Sequence, residues 1–149
     1  MSTRELVLAR GHMTLQPSLT ILVIDDEPSF ASVLAGVLRR DGHSVDIAEN
    51  GKVALGMLAT QPYDLFLCDL RMPELDGVTF FERLAQQYPH LCHRVIFLTG
   101  DTLGSESMVF LEQCGQPWVS KPCRIADVRS AMQQVLHVVS PQTFSMTSP

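Results

Sequence analysis

From Leu19 onward, short apolar runs alternate with amphipathic segments. ILVI at Ile21–Ile24, SVDIA at Ser44–Ala48, DLFLC at Asp64–Cys68, RVIFLT at Arg94–Thr99 and PWVS at Pro117–Ser120 predict five strands. Three of these runs are almost continuously hydrophobic, the pattern of strands covered on both faces within a parallel sheet. Helices are therefore expected on both sides of it.

Between the first two runs, Phe30, Val33, Leu34, Val37 and Leu38 recur at helical spacing and predict one apolar stripe, with Pro28 suited to its first turn. Arg39, Arg40 and then Gly42 give a cationic last turn and a residue free to take left-handed backbone, which ends the helix near Asp41. A second helix starts after Asn50. A third covers Val78 to Tyr88, with Val78, Phe81, Ala85 and Tyr88 in register and Pro89 stopping it. Ser105 to Gln113 has helix length, but only Met108, Val109 and Leu111 mark an apolar face, so this fourth helix is expected to be the most mobile. Ile125, Val128, Met132, Val135, Leu136 and Val139 define the last helix.

Strict alternation of strand and helix predicts an α/β fold, a (βα)5 doubly wound five-stranded parallel sheet, because right-handed crossovers need a helix between parallel neighbours. The domain is expected to span 19–139. Residues 140–149 read as a polar C-terminal tail. Residues 1–18 read as an N-terminal extension outside the fold, in which Gly11-His12-Met13 resembles the scar of an expression vector.

Composition agrees with one globular domain: 149 residues, 46% apolar and 18% charged. The net charge of -5 lacks the clustered Lys and Arg that would displace counterions from nucleic acid, so direct DNA binding is not expected. Cys68, Cys92, Cys114 and Cys123 form no C-x-x-C pair and read as reduced thiols rather than a zinc site. With no apolar run of about 20 residues and no leader pattern, the chain is expected to be soluble and cytoplasmic, without membrane contact.

In an open parallel sheet, ligands bind beyond the carboxyl ends of the strands. There Asp25 and Asp26 close the first run, Asp69 follows the third, Thr99 closes the fourth and Lys121 follows the fifth. Carboxylates brought together in a partly buried site repel unless a cation sits among them. An all-oxygen set without His or thiolate suits a hard ion that keeps waters and takes phosphate, so Mg²⁺ is expected rather than Ca²⁺. Lys121 and the Thr99 hydroxyl are suited to binding phosphoryl oxygens on one carboxylate. Taken singly, Asp69 would be a solvated turn carboxylate, Thr99 a cap and Lys121 surface charge; together they are equipment for phosphoryl transfer.

The ordered set Asp25-Asp26, Asp69-Leu70-Arg71-Met72-Pro73, Asp76-Gly77, Thr99 and Lys121-Pro122 resembles the CheY-like receiver domains of response regulators, over nearly all of Leu19 to Val139. The resemblance implies a flavodoxin-like sheet of strand order 2-1-3-4-5. It also implies a phosphorelay function in two-component signalling. Asp69 would take a phosphoryl group from a phosphohistidine or small donor, and Thr99 and Lys121 would bind it. Mg²⁺ would be held by Asp26, Asp69 and the Arg71 backbone carbonyl, with Asp25 acting through water. Self-directed transfer and autodephosphorylation are the only catalysis expected.

Thr99 would form a switch with the aromatic three residues before the lysine. That aromatic is Trp118 here, where the family more often has Tyr or Phe. An indole is larger and needs a partner for its N–H when buried, so a fixed surface anchor is the other role open to it. Arg71 and Asp101, two residues beyond Asp69 and Thr99, occupy positions expected to tune the phosphoryl lifetime, by a salt bridge gating water.

None of the five histidines is placed by a motif beside a carboxylate, so the donor is expected to be a separate histidine kinase or histidine phosphotransfer protein. Output is expected through protein contact, and the resemblance implies the face of the fourth helix, fifth strand and fifth helix as the partner surface, with a homodimer there as an option. Both a stand-alone regulator and a receiver cut from a hybrid histidine kinase fit, and GQPWVSKP resembles the hybrid type more.

Three rival functions fit the residues less well. A haloacid-dehalogenase-type phosphatase needs an acid two residues after its nucleophile, and Arg71 stands there. A flavodoxin-like electron carrier needs a phosphate cradle where Asp25-Asp26-Glu27 would repel FMN. A binding module that has lost phosphorylation is disfavoured by the intact acidic cluster.

Overall fold

A computed structural model describes residues 17–100 and 104–147. Each predicted apolar run forms a strand: β1 Thr20–Ile24, β2 Ser44–Ala48, β3 Leu65–Asp69, β4 Val95–Thr99 and β5 Trp118–Ser120. All pair in parallel, in the order β2-β1-β3-β4-β5. The continuous hydrophobicity of β3 and β4 has the expected cause, since every residue of both strands is buried.

The helices are α1 Pro28–Arg40, α2 Gly51–Leu58, α3 Gly77–Gln87, α4 Ser105–Cys114 and α5 Ile125–Thr147, with a 3₁₀ turn at Pro89–Arg94. They divide the core in two. Ile21, Val23, Leu65, Leu67, Ile96 and Leu98 pack against α1 and α5, whereas Leu22, Ile24, Phe66, Cys68 and Phe97 pack against α2, α3 and α4. Alternate residues of each strand feed opposite layers.

Helix boundaries follow local chemistry. Asn50 and Asp76 cap α2 and α3 by accepting the amides of Val53 and Thr79, both at 2.9 Å. Gly42 takes φ 102 after α1, and Gly115 takes φ 73 after α4.

Several faces differ from the sequence pattern. In α1 the buried side chains are Ala31, Leu34, Ala35 and Leu38, while Val33 stays 69% exposed. Small alanines let the helix sit close to the sheet and rotate the stripe away from Val33. In α3 the inner face is centred on Phe80 and Leu84 rather than on Val78, Phe81, Ala85 and Tyr88, which lie at its flank. In α4, Leu111 is buried, with Met108, Phe110 and Cys114 partly buried, and Val109 points outward. Phe110 forms a ring cluster with Phe81 and Phe97 at centroid distances of 5.3 to 5.8 Å, so α4 is anchored by aromatic edges that a count of aliphatic positions overlooks. Finally, α5 continues through Thr147 rather than ending at Val139.

Candidate functional site

The site lies beyond the carboxyl ends of β1, β3, β4 and β5. Asp25 continues β1 by one residue, its amide donating to Ala48 O at 3.0 Å, and is 2% exposed. Its Oδ1 accepts the Glu27 amide at 2.9 Å, which turns the chain into α1. Asp69 ends β3 and is also buried. The Arg71 amide donates to Asp69 Oδ1 at 3.3 Å.

Gly77 explains how Asp69 is fixed. A Cβ at residue 77 would press into the Asp69 carbonyl oxygen and approach Leu70 Cα to 2.9 Å, so only glycine lets α3 begin directly behind β3. Its amide donates to Leu70 O at 2.9 Å. The Asp76-Gly77 pair is therefore a cap and a close approach in succession.

Lys121 reaches the same pocket from beyond β5, its amide tied to Thr99 O at 2.8 Å. The ammonium donates to Asp25 Oδ2 at 2.7 Å, Glu27 Oε1 at 3.2 Å and Asp69 Oδ2 at 3.3 Å, and it lies 4.3 Å from the centroid of the Phe30 ring. Burial by itself would make Lys121 easier to deprotonate, but the hydrogen bond to Asp25 and the charges of Asp69 and Asp25 outweigh it and raise its pKa above the ordinary lysine value. Burial lifts the Asp69 carboxyl above the usual carboxylate range. Lys121 pulls it partly back and Asp25 pushes it up again. One cation shared among three carboxylates leaves the pocket net negative when all three are ionised.

Of the residues singled out from sequence, Asp25, Asp69 and Lys121 meet directly, and Thr99 sits buried at the end of β4 beside them. Asp26 is exposed. The carboxylates with ligand atoms within 4.8 Å of one another are those of Asp25, Glu27 and Asp69. Arg71 is exposed. Asp101 lies outside the described residues, and so does its expected pairing with Arg71. Trp118 stands opposite Phe97 in the β4–β5 register, is 37% exposed, and lines a surface groove with Gln116, Pro122 and Arg124. Neither Glu27 nor Phe30 is among the site residues expected from sequence, although both stand at the site here. The acid following Asp25-Asp26 was the one available hint for Glu27.

Every donor gathered here is an oxygen, in a pocket whose charge exceeds what Lys121 neutralises, so the residues fit a hard divalent cation. The four cysteines are free, and Cys68 is core packing beside Asp69. Among the described residues no helix is long and apolar enough to cross a membrane.

The family profile for the response regulator receiver domain matches residues 21–133. This chain belongs to that family, the receiver domains of two-component signalling. It is 27% identical over 134 residues to the transcriptional regulatory protein ZraR of Escherichia coli K12, covering 88% of this chain and 30% of ZraR. It thus spans under a third of that relative's length. Among solved structures it resembles the signal receiver domain of a signal transduction histidine kinase from Syntrophus aciditrophicus, with 30% identity, a TM-score of 0.73 and coverage of 82% of this chain and 92% of that one. The response regulator TrrA of Thermotoga maritima, in complex with Mg²⁺ and BeF, matches at 26% identity with a TM-score of 0.68, over 78% of this chain and 98% of that one.

Proposed function

We propose that Asp69 accepts a phosphoryl group from a phosphohistidine in a Mg²⁺-dependent reaction, and that the phosphorylated domain signals by protein contact. The observation that carries this is a buried carboxylate at the end of β3, flanked by Asp25 and reached by the Lys121 ammonium. Burial keeps the Asp69 carboxylate poorly hydrated, which favours its attack on phosphorus.

Lys121 is positioned to take oxygens of the transferred group, and the Thr99 hydroxyl to donate to another. Mg²⁺ would be held by Asp26, Asp69 and the Arg71 carbonyl, with Asp25 acting through water. When bound, it supplies the positive charge that offsets charge developing on the phosphoryl group. Asp26 is on the same turn as Asp25 and open to solvent, as befits a ligand that keeps a hydrated ion.

The donor is a histidine kinase or histidine phosphotransfer protein, since no histidine of the described chain enters the site. The α4-β5-α5 face, where Trp118 is open, is the surface for the downstream partner, and the work of the domain is cytoplasmic. The domain proper is 19–139, the segment that builds sheet and site. Arg71 and Asp101 tune the phosphoryl lifetime, and Thr99 with Trp118 forms the readout pair.

The test is incubation with acetyl phosphate, with Mg²⁺ or with EDTA, followed by intact mass. Uptake of one phosphoryl group only with Mg²⁺, abolished in Asp69→Asn, is the expected result. No uptake under any donor would favour a binding module on a receiver fold.

A further inference from the structure

Lys121 has three ammonium hydrogens, and three carboxylates accept them: Asp25 at 2.7 Å, Glu27 at 3.2 Å and Asp69 at 3.3 Å. The Phe30 ring, 4.3 Å from the ammonium, occupies a further side. A phosphoryl group arriving on Asp69 therefore meets a lysine whose donors are committed. For Lys121 to follow the new oxygens, a bond must be released.

The three partners differ in what release entails. Asp25 has no exposed side-chain surface, so freeing it would strand a buried carboxylate. Asp69 is the group being modified. Glu27 has 62% of its side chain in solvent, where water takes over the role of Lys121 at once. It sits at the N-cap of α1 without capping that helix through its side chain, so its carboxylate is free to serve elsewhere.

We propose that Glu27 is a positioning residue. It tethers Lys121 in the phosphoryl-free state and competes with the phosphoryl group for that cation. The inference rests on the phosphoacceptor reading of Asp69. It assigns Glu27 the regulation of that site: the tether lowers affinity for phosphoryl oxygens until the incoming charge displaces it.

The experiment titrates beryllium fluoride, as the phosphoryl mimic, into the full chain at saturating Mg²⁺, with bound fluoride read by ¹⁹F NMR. Wild type is compared with Glu27→Gln and Glu27→Asp. Glu27→Gln removes the charge at constant length. Glu27→Asp keeps the charge one methylene shorter, where the free amides of the α1 N-terminus draw the carboxylate away from Lys121. Tightening of binding by about two- to five-fold in both variants is expected, the range an exposed ion pair commands. Tightening in Glu27→Gln alone would overturn the tether in favour of general charge. Equal or weaker binding in both would overturn it as well, weaker binding meaning that Glu27 presents Lys121 or serves the metal. Absence of binding in wild type would instead overturn the phosphoacceptor reading itself.

Discussion

Where β1 and β3 end, the sheet presents Asp25 and Asp69, buried, hydrogen-bonded and braced from behind by the start of α3. Where β5 ends, it presents a three-residue strand whose outer residues, Trp118 among them, are exposed. The first region is over-determined and the second is lightly held. Chemistry needs atoms fixed to a fraction of an ångström, whereas a surface that reports to a partner needs accessible groups. The ring cluster of Phe81, Phe97 and Phe110 lies between them, and Phe97 shares a face of β4 with Thr99, two residues on.

That boundary is the place to break first. Phe97→Ala removes a fully buried ring that touches both α3 and α4, and a loss of about 3–5 kcal/mol is expected in denaturant unfolding. Gly77→Ala acts on the fixed region alone. Its Cβ would force the Asp69 backbone to shift, with a loss of about 1–3 kcal/mol and slower phosphoryl uptake from acetyl phosphate in the folded fraction.

A smaller effect tests the opposite end of the sheet. His43 accepts the Leu19 amide on Nδ1 at 3.1 Å, and burial lowers its pKa below the ordinary histidine value, with Asp41 opposing. The folded state thus resists the proton. Stability should be full above about pH 6.5 and decline as pH falls through that value, since the unfolded chain binds the proton more readily. Thermal unfolding across that range should show a shallower decline in His43→Asn, with phosphoryl uptake at neutral pH unchanged. The smallest effect belongs to Trp118→Ala: about 1 kcal/mol or less in stability, with acetyl phosphate uptake unchanged and loss confined to partner binding. Reduced uptake would show that the two regions are not separable.

β1, β3 and β4 were legible because burial on both faces writes itself as continuous hydrophobicity, and Asp25, Asp69 and Thr99 stand where those runs close, with Lys121 following the short, half-exposed run of β5. Glu27 was not, because its partner Lys121 is remote in sequence and only the folded sheet edge brings them together. Val33 misled because the helical spacing of large side chains ignores alanines, and Ala31 and Ala35 are what let α1 approach the sheet. Phe110 was missed for a related reason, since its packing is edge-on against rings from two other elements.

The central claim is that Asp69, and no other acid of the cluster, carries the phosphoryl group. Borohydride reduction of the phosphorylated chain converts an acyl phosphate to the corresponding alcohol, and peptide mapping by mass spectrometry then locates it. Homoserine at position 69 alone is the predicted result; a reduced residue at Asp25, Asp26 or Glu27, with 69 unmodified, would contradict it.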